Sequence, residues 1–260
     1  MGIKILLACP DPGAQCLALM PLDYEELDYQ ETPLGSLTLR RRRMRSLDGL
    51  EVYEIILGTG YLMSSLFTTV EIALADLALA RLPAGKTNLS VVVGGLGLGY
   101  TAQAALKDAR VTQLLVVEAL PAVISWHQRE MVPLGSELHG NPRCRLIEGD
   151  FFALAAGQGF DPTQPGSRFD AILLDIDHSP RNLIHERHQP FYSREGLNSL
   201  QSFLKPGGVF AMWSDDPPDP EFQALLGSAF AVTETKVVAF PNPLQDCQSQ
   251  STVYLGQSES

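Results

Sequence analysis

The sequence predicts an α/β protein whose mostly parallel sheet is covered by helices on both faces, with a small β-hairpin module before it. From residue 89 onward, short apolar segments alternate with segments of helical spacing, a pattern that builds parallel sheets. One segment, residues 91–100 (VVVGGLGLGY), runs from a strand straight into glycines and then into a helix. Residues 34–57 instead alternate apolar and polar positions around an Asp48-Gly49 turn, which is typical of a hairpin.

The composition narrows the class of protein. The 260 residues suffice for one sizeable core with a small appendage, and the net charge of −11 argues against a nucleic-acid partner. No apolar run approaches the roughly 20 residues that span a bilayer. The apolar start (MGIKILLACPDPGAQ) is too short for a signal peptide, so we expect a cytoplasmic protein and no membrane partner. The cysteines, Cys9, Cys16, Cys144 and Cys247, lack zinc-site spacing, so we expect neither a metal site nor a disulfide framework.

Two domains are predicted, a β-hairpin module at residues 1–60 and the α/β domain at residues 61–260. Within the hairpin, arginines stand at 40–43 and at 45. They fit either a phosphate or RNA site or an edge strand whose charges discourage pairing with other chains, and we favour the edge strand.

The α/β domain is predicted to contain seven strands and five helices. Parallel strands end at one common edge of a sheet, and a ligand should lie beyond that edge, near the switch in strand order. The predicted strands are 90–95, 113–118, 144–148, 170–175, 207–213, 231–239 and 251–255, and the predicted helices are 64–82 (capped by Ser64 or Ser65), 101–108, 121–131, 193–203 and 219–227.

The glycine loop after the first of these strands is the main candidate for ligand binding. Gly94, Gly95, Gly97 and Gly99 let a ligand lie against bare backbone, close to the positive end of the following helix. The dinucleotide fingerprint would need a further glycine where Tyr100 stands, which argues against NAD. The loop therefore predicts a nucleoside-type ligand, the alternative being a tight turn packed under the sheet.

Acidic residues follow the next two strands. Glu118 lies about 20 residues beyond the loop, where a carboxylate can accept hydrogen bonds from ribose hydroxyls. Asp150 is placed to accept from an adenine amino group, with Phe151 near the ring face. The alternatives are a solvated glutamate for Glu118, a helix N-cap for Asp150 and a core aromatic for Phe151.

The fourth strand opens into the candidate catalytic residues Asp175, Asp177 and His178. Such a cluster can hold an amine, orient it and take its proton. The alternative is a capping aspartate beside a surface histidine, and for His178 both interpretations stay open.

Three further positions are ambiguous. Asp215 or Asp216, after Trp213, fits either an acceptor site or a polar loop. Trp126 and His127 could line an adenine site, although their helical spacing favours a core or surface position.

These features, in this order, resemble class I S-adenosylmethionine-dependent methyltransferases, whose late LKPGG turn matches residues 204–208. The FYSRE segment at 191–195 and the hairpin, with YQET at 29–32, are similar to the spermidine synthase family. The resemblance implies a Rossmann-like fold with a seven-stranded sheet and a sulfonium nucleoside bound at residues 94–99, Glu118 and Asp150. It also implies a small amine acceptor near Asp175, and it suggests a homodimer.

The chain departs from the polyamine-forming members at two places. The resemblance puts Gly97 where those members carry an aspartate that grips the donor's amine. Their D-x-x-D-P motif becomes Asp175-Ile-Asp177-His178, followed by Arg181 and Arg187, which suit a polycation poorly.

Three hypotheses follow. Methyl transfer from S-adenosylmethionine is slightly favoured. Aminopropyl transfer from decarboxylated S-adenosylmethionine to a diamine is the second. A non-catalytic nucleoside-binding protein is the third.

Overall fold

The computed structural model describes residues 23–259 of the chain. Outside the described residues lie Cys9, Cys16 and the apolar start of the chain, which we do not expect to be a signal peptide. The chain divides into two compact units, Met1–Leu62 and Met63–Ser260. Within the described part, no helix is both long and apolar enough to cross a membrane.

The first unit is an antiparallel sheet with the strand order β1-β2-β3-β4. Its strands are β1 (Tyr24–Thr32), β2 (Gly35–Met44), β3 (Leu50–Leu57) and β4 (Gly60–Ser64). The predicted hairpin is confirmed as β2 and β3, and Asp48 and Gly49 both adopt positive φ angles, of 53° and 77°, in its turn. Alternation puts Leu37, Leu39 and Val52 on the buried face.

The interpretation of the arginine run as an edge strand is wrong. β2 pairs with β1 on one side and with β3 on the other, and the arginines meet acidic side chains of those neighbours. Glu54, almost fully buried, accepts from Arg40 Nε at 2.5 Å and from Arg42 Nη2 at 2.9 Å, while Arg41 reaches Glu25 at 2.5 Å. The run therefore forms an internal ladder of ion pairs.

The second unit confirms the predicted fold class. Its seven-stranded sheet has the order β10-β11-β9-β8-β5-β6-β7, parallel except for β11, which pairs antiparallel with β9 and β10. The strands are β5 (Leu89–Gly94), β6 (Val111–Glu118), β7 (Cys144–Glu148), β8 (Phe169–Leu174), β9 (Leu204–Ser214), β10 (Val232–Asn242) and β11 (Cys247–Gln257).

The helices differ from the prediction mainly in where the first helix begins. Helix α1 begins at Thr69 rather than at 64, because residues up to Ser64 belong to β4. Two short helices, at Gly135–His139 and Phe151–Ala156, and a 3₁₀ segment at Glu186–Phe191 are additional to the prediction. The helices are α1 (Thr69–Ala80), α2 (Tyr100–Lys107), α3 (Pro121–Gln128), α4 (Gly135–His139), α5 (Phe151–Ala156), α6 (Arg194–Gln201) and α7 (Pro220–Ala229).

Strand β5 positions the candidate site. It is buried along its whole length and lies between β6 and β8, at the point where the strand order reverses. The loops after β5, β6 and β8 therefore meet at one edge of the sheet, as expected for an open α/β sheet.

Candidate active site

The glycine loop packs so tightly that side chains are excluded from its backbone. Gly95, Gly97 and Gly99 have φ angles of +93°, +46° and +95°, which side chains rarely tolerate. A Cβ atom at Gly94 would overlap the ring of Phe151, and one at Gly95 would overlap the carbonyl of Asp175. Only glycine therefore fits at these positions without displacing the neighbouring atoms.

Glu118, at the end of β6, holds the glycine loop. Its Oε2 accepts from the backbone N–H of Leu96 at 3.0 Å, and its Oε1 accepts from the N–H of Leu120 at 2.8 Å. Burial raises the pKa of Glu118 above its usual value, and the hydrogen bonds from the loop oppose that rise. Backbone N–H groups of Leu96, Leu120, Gly97 and Ala119 already reach this carboxylate, which has about four acceptor positions, so its role toward ribose hydroxyls stays a prediction.

His127, on α3, forms a hydrogen bond with the glycine loop. Its Nε2 donates to the carbonyl of Gly97 at 2.9 Å, and its ring lies beside Gly99. It is fully buried, its Nδ1 has no hydrogen-bond partner, and burial lowers the pKa of His127. The imidazole is therefore neutral, with its proton on Nε2. Trp126 beside it is a core residue.

Met63 covers the loop at Gly97. Its Sδ accepts from the backbone N–H of Leu98 at 3.0 Å, and a Cβ atom at Gly97 would lie 2.6 Å from that sulfur. Nothing in the local sequence marks this methionine, because the contact joins residues 35 positions apart.

Asp150 caps α5. Its Oδ1 accepts from the N–H groups of Phe152 at 3.0 Å and Ala153 at 3.3 Å, while its Oδ2 lies 3.5 Å from Nε of Arg187. The N-cap alternative is therefore correct, and a second role toward an adenine stays a prediction. Phe151 stacks on Phe160 in the core and is 1 % exposed, so it can influence a ligand only by packing on Gly94 and not through an open ring face.

Asp175 follows β8 and faces a second acid. Its Oδ2 accepts from Oγ1 of Thr101 at 2.6 Å. Burial raises the pKa of Asp175 to about 6, and the hydrogen bond from Thr101 opposes that rise. Burial, followed by the negative charge of Asp175, raises the pKa of Glu71 on α1 to about 8. Sequence reasoning missed Glu71, since one glutamate on a mostly apolar helix carries no signal.

Asp177 does not belong to this acidic group. It is 2 % exposed, and it accepts from Ile184 N at 2.8 Å, His188 Nδ1 at 2.8 Å and Tyr192 Oη at 2.9 Å. These bonds fix the segment after β8, so a catalytic contact between Asp177 and an acceptor does not fit its position. His178 is partly exposed beside the ring of Trp213, and its predicted catalytic role stays a prediction.

A cavity of about 480 Å³ lies beside Glu71. It is walled by the start of α1, the end of β9 and the far end of the β10–β11 hairpin. Its aromatic residues are Phe67, Trp213 and Phe240, and its carboxylates are Glu71 and Asp215. Asp216 lines a different cavity, so of the two aspartates considered from the sequence, Asp215 is the one beside Glu71. Within residues 23–259, no group of three or more His, Cys, Asp or Glu side chains could hold a metal ion.

Comparison with known proteins supports the resemblance. No family model matches the chain. Polyamine aminopropyltransferase 2 of Pseudomonas aeruginosa is 25% identical over 162 residues, and the match covers 58% of this chain but only 42% of that protein. A spermidine synthase from Thermotoga maritima aligns with a TM-score of 0.65 and 15% identity, covering 89% of this chain and 72% of its own.

A second crystal structure, a spermidine synthase in complex with the transition state analogue AdoDATO, gives a TM-score of 0.66 and 16% identity, covering 89% of this chain and 73% of its own. The predicted resemblance is therefore confirmed, and the chain has the fold of spermidine synthases.

Proposed function

We propose that this chain is a transferase that binds an S-adenosyl sulfonium donor over the glycine loop and moves its alkyl group to an amine acceptor. The observation that carries the proposal is the juxtaposition of two features at one sheet edge. The glycine loop at residues 95–99 contacts Asp175 through Gly95, and Asp175 faces Glu71; the described surroundings of these two carboxyls include no cation. A cationic donor and an amine supply the missing positive charge.

The donor site fits a nucleoside. We expect the ribose hydroxyls to donate to Glu118, the adenine amino group to donate to Asp150, and the sulfonium end to lie toward Asp175. A sulfonium is already a good leaving group, so these residues mainly supply proximity and alignment.

Asp175 is the residue we expect to hold the acceptor. Thr101 occupies its Oδ2, which leaves Oδ1 able to accept from an amine N–H. With a pKa of about 6, this carboxyl is mostly ionised at neutral pH. It can therefore align the nitrogen behind the carbon that bears the sulfonium.

Aminopropyl transfer from decarboxylated S-adenosylmethionine is the reaction we favour, because the curated relative and both structural neighbours carry names of polyamine-forming enzymes. Methyl transfer from S-adenosylmethionine is the second candidate. The observation in its favour is Gly97, which has the Met63 thioether beside it and no carboxylate to repel a carboxylated donor. A cytoplasmic homodimer remains part of the proposal.

The test uses the 260-residue chain. It is incubated with either donor and a panel of amines, and products are identified by mass spectrometry, while calorimetry measures binding of methylthioadenosine and S-adenosylhomocysteine. We expect a propylamine adduct and methylthioadenosine. A methylated amine would support the second candidate, and the absence of binding to both nucleosides would refute the proposal.

A matched pair of variants locates the site. Gly95→Ala should abolish nucleoside binding, because its Cβ atom overlaps the Asp175 carbonyl and its φ is +93°. Gly85→Ala, with open space around it, is the control and should bind normally. Thermal unfolding of both variants separates loss of the site from loss of the fold.

A further inference from the structure

Glu71 contributes negative charge beside Asp175, but the proposed function assigns it no contact with the reacting atoms. It is the third residue of α1, in the wall of the cavity that Trp213 and Asp215 also line. The cavity lies at the carboxyl ends of β9 and β10. Glu71 therefore borders the cavity and also interacts with Asp175.

In the part of the chain that the structure describes, the titratable groups around Glu71 are acidic or neutral. Asp175 faces it from the end of β8, Tyr100 faces it from the start of α2, and Asp215 shares the cavity from the end of β9. The walls contributed by β10 and β11 are uncharged there, with Asn242 and residues 248–251. Within the described residues, no Lys, Arg or His forms an ion pair with Glu71 or Asp175.

Two neighbouring carboxyls without a cation cannot both be ionised at low cost. An ammonium placed between them would relieve their repulsion and let both ionise. The aromatic residues Phe67, Trp213 and Phe240 add surface that suits the carbon chain of an amine and favours a cation over a ring face. Charge and shape thus point to the same occupant.

We propose that Glu71 is a second catalytic carboxyl, which contacts the reacting nitrogen of the acceptor and takes its proton while Asp175 holds the same nitrogen in line. This proposal rests on the proposed function and names the group that the reaction needs beyond Asp175.

The transfer of the alkyl group begins with the loss of one proton from the acceptor. The acceptor enters as an ammonium ion, and one N–H proton passes to the Glu71 carboxylate, leaving a lone pair on nitrogen. That pair forms the new N–C bond as the C–S bond breaks, and the electrons of the broken bond stay on sulfur, giving a neutral thioether. The product is a secondary ammonium, and the proton on Glu71 leaves through the cavity to water.

The pKa of Glu71 is raised to about 8, which suits a general base better than the pKa of an ordinary carboxyl. A general base is most effective when its pKa lies near the working pH. Asp175, with a pKa of about 6, is the weaker base and the better anchor.

Activity tests the proposal with three variants. Glu71→Gln should lower kcat about 100-fold, should remove the rise of kcat/KM with pH that Glu71 ionisation in the free enzyme produces, and should leave the Kd of methylthioadenosine unchanged. Asp215→Asn, a carboxylate of the same cavity outside the pair, is the control and should alter KM more than kcat. Turnover of Glu71→Gln within threefold of the unchanged chain, alongside an inactive Asp175→Asn, would overturn the proposal.

Infrared difference spectroscopy tests it without turnover. A protonated carboxyl titrating near pH 8 should be absent in Glu71→Gln and should shift to lower pH in Asp175→Asn. Adding n-butylamine or 1,4-diaminobutane to the methylthioadenosine complex at pH 7 should deprotonate it.

If the amine changes the band but no donor is consumed, the proposed function fails while the contact of Glu71 with an amine stands. If neither amine changes the band, the role of Glu71 is refuted even where turnover is found.

Discussion

Asp177 offers the sharpest distinction between a catalytic and a structural carboxylate. Its two oxygens accept three hydrogen bonds, from Ile184 N, His188 Nδ1 and Tyr192 Oη, at 2.8 to 2.9 Å. Asp177→Asn keeps the shape but removes the charge. A hydrogen bond to a charged group contributes about 1 kcal/mol more than a neutral one. Three such bonds give a loss of about 2–3 kcal/mol in the free energy of unfolding.

Thermal unfolding is the assay. A loss of that size should lower Tm by about 5–10 °C for a domain of this length. Tyr192→Phe removes only one of the three bonds and should cost about a third as much. Methylthioadenosine should still bind to both variants at a temperature where they are folded. If Asp177→Asn instead keeps its Tm and loses turnover, Asp177 is catalytic after all and the structural reasoning is refuted.

Four other measurements test the remaining features. His127→Phe should weaken methylthioadenosine binding about tenfold in calorimetry, because the Gly97 carbonyl loses its donor; an unchanged Kd would contradict this. Met63→Ala should make room for Gly97→Asp, and the double variant should shift the ratio of the two donors' Kd values about tenfold or more toward the decarboxylated form. Glu54→Gln should cost about 2–3 kcal/mol in urea unfolding, because two arginines lose a buried partner. Burial raises the pKa of Glu71 to about 8, so the folded chain holds a proton there that the unfolded chain has released. The free energy of unfolding should therefore fall from about pH 5 to about pH 8, and Glu71→Gln should flatten that fall.

Local sequence sufficed for the features that depend on neighbours along the chain. The glycines after β5, Glu118 at the end of β6 and Asp175 directly after β8 follow from strand length and from the common edge of a parallel sheet. The capping role of Asp150 was also among the alternatives, because a cap is set within three residues.

Contacts between residues that are far apart in the chain could not be predicted from the sequence. Met63, Glu71 and His127 act on residues 35, 104 and 30 positions away, and no local spacing encodes such distances. The arginine run was assigned to an edge strand because β1 carries few apolar residues and was not predicted. Once β1 pairs with β2, the arginines acquire partners on both sides.

The structure also weakens the sequence-based objection to a cationic acceptor. Arg181 binds Asp219 at 2.7 Å and Glu221 at 2.9 Å, and it lines the cavity of Asp216 rather than that of Glu71. Arg187 lies near Asp150. Both arginines are therefore paired with acids elsewhere, and among residues 23–259 the charged groups that line the cavity beside Glu71 are carboxylates. A protonated amine that enters the cavity is therefore attracted by its carboxylates. For this reason we assign binding of the acceptor to Glu71 and Asp175, and not to the segment that follows Asp175.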